Sequence, residues 1–371
     1  MTTRTGYVGV DHHHRDPYLQ VAGRLPVDLV AVCEPGEAYA PEDVQPMADR
    51  PDEITSEGAD LSAVLSGVET YADPHRLLRE ADVDAVWITY ANDEVPAIVD
   101  TAVEAGVDVL SEKPLARTAA DLEPVLGRAS DAGVTVGVTY FYRWNPVVQE
   151  LRSMVEAGAF GDLWSVDGRY VASKLDYRDT DHYVYRADRS RGGALQWVGL
   201  HWVDLFMYVL DEPIVRVSAQ QALADHDAVD EGLTMQFETD SGVMGTFQTG
   251  YYLGRLGKDT RLALYGDRLT GDSPVHHDAR AGGDGTVDLS LYSDHPDWGG
   301  APGRTRSFAF GYDRFPAWGD YVLDFFADYF ADYFANRDSG AVPADGDDAL
   351  CVLRVLDAAY EAAERGEWVP V

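Results

Sequence analysis

The chain of 371 residues is 46% hydrophobic and 25% charged, the balance of a folded globular protein long enough for two or three domains. Asp and Glu number 64 against 29 Lys and Arg, a formal net charge of −35, or about one uncompensated negative charge per ~400 Å² of folded surface. That excludes a nucleic-acid binder working by phosphate neutralisation and disfavours docking on anionic lipid.

Strand and helix signals alternate over the first 140 residues. Gly6–Val10 is a short apolar strand, Pro17–Arg24 a short helix and Val27–Cys33 a second strand ending at Glu34. Residues 35–58 are polar and Pro-rich and read as an insertion or loop. Helices are expected over Pro74–Glu80, Val95–Ala105 (ended by Gly106) and Ala119–Ala132, with strands at Ala85–Thr89, Val107–Ser111 and Val134–Thr139. Such alternation implies right-handed crossovers and a parallel sheet covered on both faces, a Rossmann-like doubly wound domain over 1–140.

After Pro146 the pattern changes. An amphipathic helix at Val147–Ala157 precedes strand-like runs at Leu163–Tyr170, Val215–Gln220, Leu233–Thr239, Val243–Gln248 and Arg261–Tyr265, with a helix at His201–Leu210 between the first two. Consecutive strands joined by turns such as Asp240-Ser241-Gly242 indicate a large, mostly antiparallel sheet. Residues 271–312, rich in Gly, Asp and Pro, read as a long irregular loop. Helices at Tyr321–Asn336 and Asp347–Glu364 close the chain, and the aromatics of FADYFADYF stand at helical spacing as core. The expectation is an α/β chain with a second, α+β domain over 141–371.

The acidic excess lies along the chain with no acidic tail, and Lys113, Lys174 and Lys258 are the only lysines. A surface of this charge repels itself unless screened, and the screening length shrinks to about 3 Å at 1 M salt. The composition reads as that of a halophile cytosol protein. Cys33 and Cys351 lie far apart in apolar contexts and suggest neither a disulfide framework nor a metal cluster. The start MTTRTGYVGVD has no signal-peptide core and no run of about 18 apolar residues occurs, so a soluble, cytoplasmic protein is expected.

Ser111-Glu112-Lys113-Pro114-Leu115 follows directly on a predicted parallel strand, where a doubly wound fold places its ligand. An ammonium there can polarise a substrate hydroxyl and lower its pKa. The bland alternative is a solvated loop lysine; that one of only three lysines stands at this strand end favours function.

Together with VDAVWITYAND, VGVTYFYRWNPVV, the GGAL…GLHWVDLF block and the closing VPADGDDALCVLRVLDAAYEAAERGEWVPV, this segment resembles the Gfo/Idh/MocA family of glucose–fructose oxidoreductases and inositol dehydrogenases. The resemblance covers nearly the whole chain and is weakest over 35–70 and 270–315. It implies a nicotinamide cofactor on the N-terminal domain and a sugar, sugar acid or cyclitol against the C-terminal sheet, through which the chain would form a homo-oligomer. Lys113 matches the family's catalytic lysine and His201 the histidine that takes the hydroxyl proton. Asp204 matches the acid of HxxD and would share a helix face with His201. Glu112 and Pro114 flank the lysine and are grouped with the cofactor site; a cis Lys113–Pro114 bond would aim the lysine. Asn92 matches an asparagine lining that site.

Two positions depart from the family pattern. Gly9-Val10-Asp11-His12-His13-His14 keeps only the first glycine of a turn whose later glycines let the backbone approach a pyrophosphate. Either His12 or His13 supplies donors to phosphate in a remodelled loop beside Asp11, or dinucleotide binding is lost. A metal held by the three histidines is disfavoured, because such neighbours share no helix face. Trp197 stands where the family usually has an aspartate that orients substrate. Either Lys113 and His201 suffice, or Asp204 or a nearby tyrosine substitutes, or the chain binds a sugar or nucleotide as a catalytically silent sensor or partner protein. Glu34 ends the second strand, where an acid binds ribose hydroxyls and repels a 2′-phosphate, favouring NAD over NADP. Tyr140, Arg143, Tyr183 and Arg186 are the further candidates for substrate: aromatic faces pack on pyranose C–H faces, and an arginine suits a carboxylate.

Overall fold

The computed structural model describes residues 2–9, 15–33, 65–173, 183–222, 229–254, 257–276, 286–299, 301–309 and 318–371. Its first strands and helices are β1 (Thr3–Val8), α1 (Arg15–Ala22), β2 (Val27–Cys33), β3 (Glu69–Tyr71), α2 (Pro74–Glu80), β4 (Ala85–Ile88), α3 (Val95–Ala105), β5 (Asp108–Ser111), α4 (Ala119–Ala132) and β6 (Val136–Val138). The strands form one sheet of order β3-β2-β1-β4-β5-β6, every neighbour parallel. The fully buried AVWI of β4 is the continuous apolar run that a parallel strand covered on both faces requires. Local chemistry sets the helix ends. The Asp73 carboxylate caps α2 by accepting from the His75 N–H, Thr118 caps α4, and Gly106 and Gly133 close α3 and α4 in the left-handed region. The strand order reverses between β1 and β4, which puts the ligand crevice of such a sheet at the carboxyl ends of these strands.

The chain continues through α5 (Pro146–Glu156), β7 (Leu163–Ala172), the short α6 (Ala187–Ser190), a π-helical turn (Leu195–Gly199) and α7 (Leu200–Leu210). Then come β8 (Ile214–Ala222), β9 (Gly232–Thr239), β10 (Met244–Gly250), β11 (Lys258–Gly266), β12 (Thr270–Ser273), β13 (Thr286–Tyr292) and β14 (Gly303–Ala309). The chain ends with α8 (Trp318–Asn336), α9 (Gly346–Arg365) and β15 (Val369–Pro370). A nine-stranded sheet has the order β14-β13-β12-β11-β7-β10-β9-β8-β15, antiparallel throughout except for the parallel pair β7–β10. Helix α7 lies on one face of it. Trp202 stacks on Phe247 at 5.9 Å and Phe206 meets Phe237 at 4.9 Å, and a Cβ on Gly168 of β7 would stand 2.3 Å from the Phe206 ring.

Two expectations are corrected. Residues 271–312 are not one irregular loop, since β13 and β14 are both strands of the sheet. In TVDLSLY, buried Val287, Leu289 and Leu291 alternate with exposed residues, a period of two that the surrounding Gly and Asp obscured. The division at 140 with everything beyond it in one domain also changes. The two compact units are residues 1–141 with 315–350, and 142–314 with 351–371. Helix α8 carries the reason. Phe330 packs on Trp87 of β4 at 4.2 Å and on Tyr18 of α1 at 5.0 Å, the Tyr329 hydroxyl donates to the Val138 carbonyl, and Tyr333 fills the space left by Gly137.

Candidate active site

In the first unit β5 ends at Ser111 and delivers Glu112 and Lys113 into the interior, 3% and 6% exposed. The Lys113–Pro114 peptide is cis and Pro114 is buried. The Glu112 carboxylate accepts from the Tyr18 hydroxyl and, at 2.7 Å, from the Thr139 hydroxyl, and its other oxygen lies 3.9 Å from the Lys113 Nζ. Glu112, grouped at first with the cofactor positions, thus has internal partners on α1 and after β6. Burial pulls the Lys113 pKa below the ordinary lysine value, with Glu112 opposing the shift only in part. Burial and the adjacent Glu112 carboxylate push the Tyr18 phenol well up, so it remains a donor. The result is a buried lysine at the carboxyl end of a parallel strand.

Gly9 follows β1 with φ of +96°, and a Cβ there would stand 2.0 Å from the Thr89 carbonyl oxygen. Only glycine lets the backbone at the end of β1 pass this close to the end of β4, where the strand order reverses. Asn92 is buried in the turn between β4 and α3. These described positions fit a dinucleotide. Asp11, His12, His13, His14 and Glu34 lie outside the described residues. Tyr140 is buried just beyond β6.

In the second unit His201 sits in the first turn of α7, buried, its ring 4.6 Å from that of Tyr142. Asp204, one turn on, is held by Arg143: Nε reaches both carboxylate oxygens at 3.1 and 3.0 Å and Nη2 reaches Oδ1 at 2.5 Å. Arg143, read as a receptor for a substrate carboxylate, thus has an internal carboxylate, and the pair is almost wholly buried. Trp197 lies in the π turn, its indole N–H donating to Ser190 Oγ at 2.9 Å and its ring edge-on to buried Tyr183 at 5.8 Å. Arg186 pairs with Asp188 at 2.8 Å, and both side chains are exposed.

Two residues escaped the sequence reading. Asp230, buried just before β9, accepts from the Gly193 N–H at 2.6 Å, the Leu195 N–H at 2.9 Å and the Tyr360 hydroxyl at 2.8 Å. Burial raises its pKa despite these donors. A Cβ on Gly193 would stand 2.1 Å from the Asp230 carbonyl, which accounts for the second glycine of the GG block. His276, beyond β12, packs edge-on to Tyr142 at 4.6 Å; burial, with Lys258, lowers its pKa to about 3, so it is neutral. Among the described residues no group of three or more His, Cys, Asp or Glu could hold a metal, and no helix is long and apolar enough to cross a membrane.

Two family models match in tandem. The GFO/IDH/MocA oxidoreductase family with NAD-binding Rossmann fold covers residues 6–140, and the GFO/IDH/MocA C-terminal domain covers residues 148–270. The chain belongs to the GFO/IDH/MocA family. Its first unit is the NAD-binding Rossmann domain of that family of oxidoreductases. One relative is the dTDP-3,4-didehydro-2,6-dideoxy-α-D-glucose 3-reductase of Streptomyces violaceoruber, 30% identical over 47% of this chain and 49% of that protein. Another is D-xylose 1-dehydrogenase (NADP(+)) 2 of Haloferax volcanii, 26% identical over 81% of this chain and 84% of that protein. The match thus spans about half the length of the first and most of the second. The fold is that of a levoglucosan dehydrogenase solved with NADH and levoglucosan, with a TM-score of 0.79 and 17% identity over 100% of both chains.

Proposed function

We propose that this GFO/IDH/MocA protein is a nicotinamide-dependent dehydrogenase of a sugar, sugar acid or cyclitol hydroxyl. Lys113 polarises the hydroxyl, His201 accepts its proton, and Asp204, held by Arg143 one helical turn on, orients His201. The bound nicotinamide supplies the hydride acceptor. The observation that carries the reading is the buried Lys113 at the end of β5, desolvated and set beside Glu112, since an ammonium in a dry site stabilises a developing alkoxide more than one in water. NAD is the proposed dinucleotide, from Glu34 at the end of the second strand, and a homo-oligomer through the C-terminal sheet is part of the same reading.

Titration of tryptophan fluorescence with NADH and NADPH in about 2 M KCl tests cofactor binding directly. Absence of binding at millimolar concentrations of both would remove the dehydrogenase reading. Lys113→Met is expected to lower kcat by about 10²–10⁴ with NADH affinity unchanged. Binding without turnover on any sugar would favour the silent relative, for which Trp197, its N–H committed to Ser190, is the motivating residue.

A further inference from the structure

His276 stands at the end of an unusually constrained stretch. Val275, fully buried and β-branched, adopts φ of +64°, a left-handed conformation that costs such a residue about 1–3 kcal/mol. Its surroundings hold it there. The Asn145 side-chain amide donates to the Val275 carbonyl at 2.9 Å, the Val275 N–H donates to Ser273 Oγ at 3.1 Å, and the Thr260 hydroxyl donates to the Pro274 carbonyl. Asn145 also caps α5, so the helix start and this turn are locked by one side chain. The consequence is a row of rings within the second unit: His276 against Tyr142 at 4.6 Å, and Tyr142 against His201 at 4.6 Å. Tyr170 of β7 meets His276 edge-on at 6.2 Å and carries the Lys258 ammonium 5.9 Å from its ring centre.

The His276 Nε2 is buried and has no hydrogen-bond partner among the described residues. An unmatched buried nitrogen lowers stability unless something else satisfies it. We propose that His276 is a specificity-determining residue that contacts substrate, its Nε2 bonding a sugar hydroxyl other than the one oxidised, with Tyr142 packed between it and His201. A hydroxyl suits a neutral imidazole because it both donates and accepts, and the tyrosine faces suit pyranose C–H groups. The inference rests on the sugar-dehydrogenase reading.

The test compares His276→Phe, which keeps a ring and removes both nitrogens, with His276→Gln, which keeps a donor and an acceptor. D-xylose, levoglucosan and inositol serve as probes. His276→Phe is expected to keep or raise the melting temperature of the ligand-free protein, to raise KM for the sugar about tenfold, and to leave kcat within a few-fold and NADH affinity unchanged; His276→Gln regains part of the lost affinity. A lowered melting temperature with unchanged KM would assign His276 to the core alone and overturn the proposal. If the wild type turns over none of the three sugars, the dehydrogenase reading fails separately, and sugar-induced thermal shifts decide. A shift in wild type that is lost in His276→Phe supports the subsite, and no difference between the two proteins overturns it.

Discussion

At the scale of single residues, the Glu112–Lys113 step sets the pH behaviour. Lys113 loses its proton more readily than a lysine in water, because burial penalises the charged form more than Glu112 supports it. If the ammonium is the working form, the alkaline limb of kcat/KM falls below 10.5, the ordinary lysine value. Lys113→Arg moves that limb upward in whatever activity remains; a limb at the same pH in that variant would assign it to another group. The sign for stability is also defined. Between the lowered pKa of the folded protein and the ordinary value, the unfolded chain binds more protons here, so this lysine's contribution to stability rises with pH across that window. Asp230 behaves oppositely. Its folded pKa is raised, so its contribution is greatest in acid and declines as pH climbs from the unfolded value of 3.8 through the folded one. Asp230→Ala strands two backbone N–H groups and the Tyr360 hydroxyl, and a loss of about 3 kcal/mol or more is expected in chemical denaturation. Asp230→Asn, which keeps an acceptor, should lose less.

At the scale of elements, the GG block, the π turn and α7 form one device. Asp230 anchors the start, Trp197 is tied to Ser190, and the aromatic side of α7 locks on Phe237 and Phe247. Gly193→Ala pushes a methyl onto the Asp230 carbonyl and is expected to lower stability by about 1–3 kcal/mol, read by urea denaturation. An unaffected midpoint would mean that the block yields to accommodate the methyl. This part of the molecule was only half legible in the sequence. The strand that ends before Lys113 and the helix that carries His201 are legible because each has a short local pattern, an apolar run followed by EKP and an apolar helix opened by GLH. Asp230 is 37 residues from Gly193 and was invisible, because in a chain with 64 acids no single carboxylate stands out. His276 lies in a stretch whose Gly, Asp and Pro content reads as loop and hides the strands that flank it. The core role of FADYFADYF was readable from periodicity, whereas its place on the Rossmann unit rests on contacts between residues about 190 to 310 positions apart, such as Tyr329 with Val138 and Phe330 with Tyr18.

At the scale of the whole molecule, acidic residues outnumber basic ones by more than two to one, and pairing absorbs only some of them. On the nine-stranded sheet Arg261 bridges Asp167 at 2.7 Å and Asp272 at 3.0 Å, and Arg169 meets Asp259 at 3.2 Å. Partly exposed pairs of this kind contribute little each, so salt screening of the unpaired remainder is the larger effect. Raising KCl from about 0.1 M to 2 M is expected to raise the melting temperature, measured by circular dichroism. A flat or falling curve would show that the negative surface needs no such screening.

The single parallel pair in the second sheet bears on how the protein is made. Strand β7 is flanked by β10 and β11, whose residues 244–266 follow it by more than seventy positions, and the chain between them includes α7. On the ribosome β7 must wait, with both edges open, until β10 and β11, the fourth and fifth of the sheet's nine strands in chain order, have been synthesised; a strand so exposed invites wrong pairing, and closure across so long a loop is slow. The helix that carries His201 has no sheet to lie on until then. A nascent chain arrested before residue 244 would therefore lack an ordered His201, just as its Rossmann unit would still lack α8.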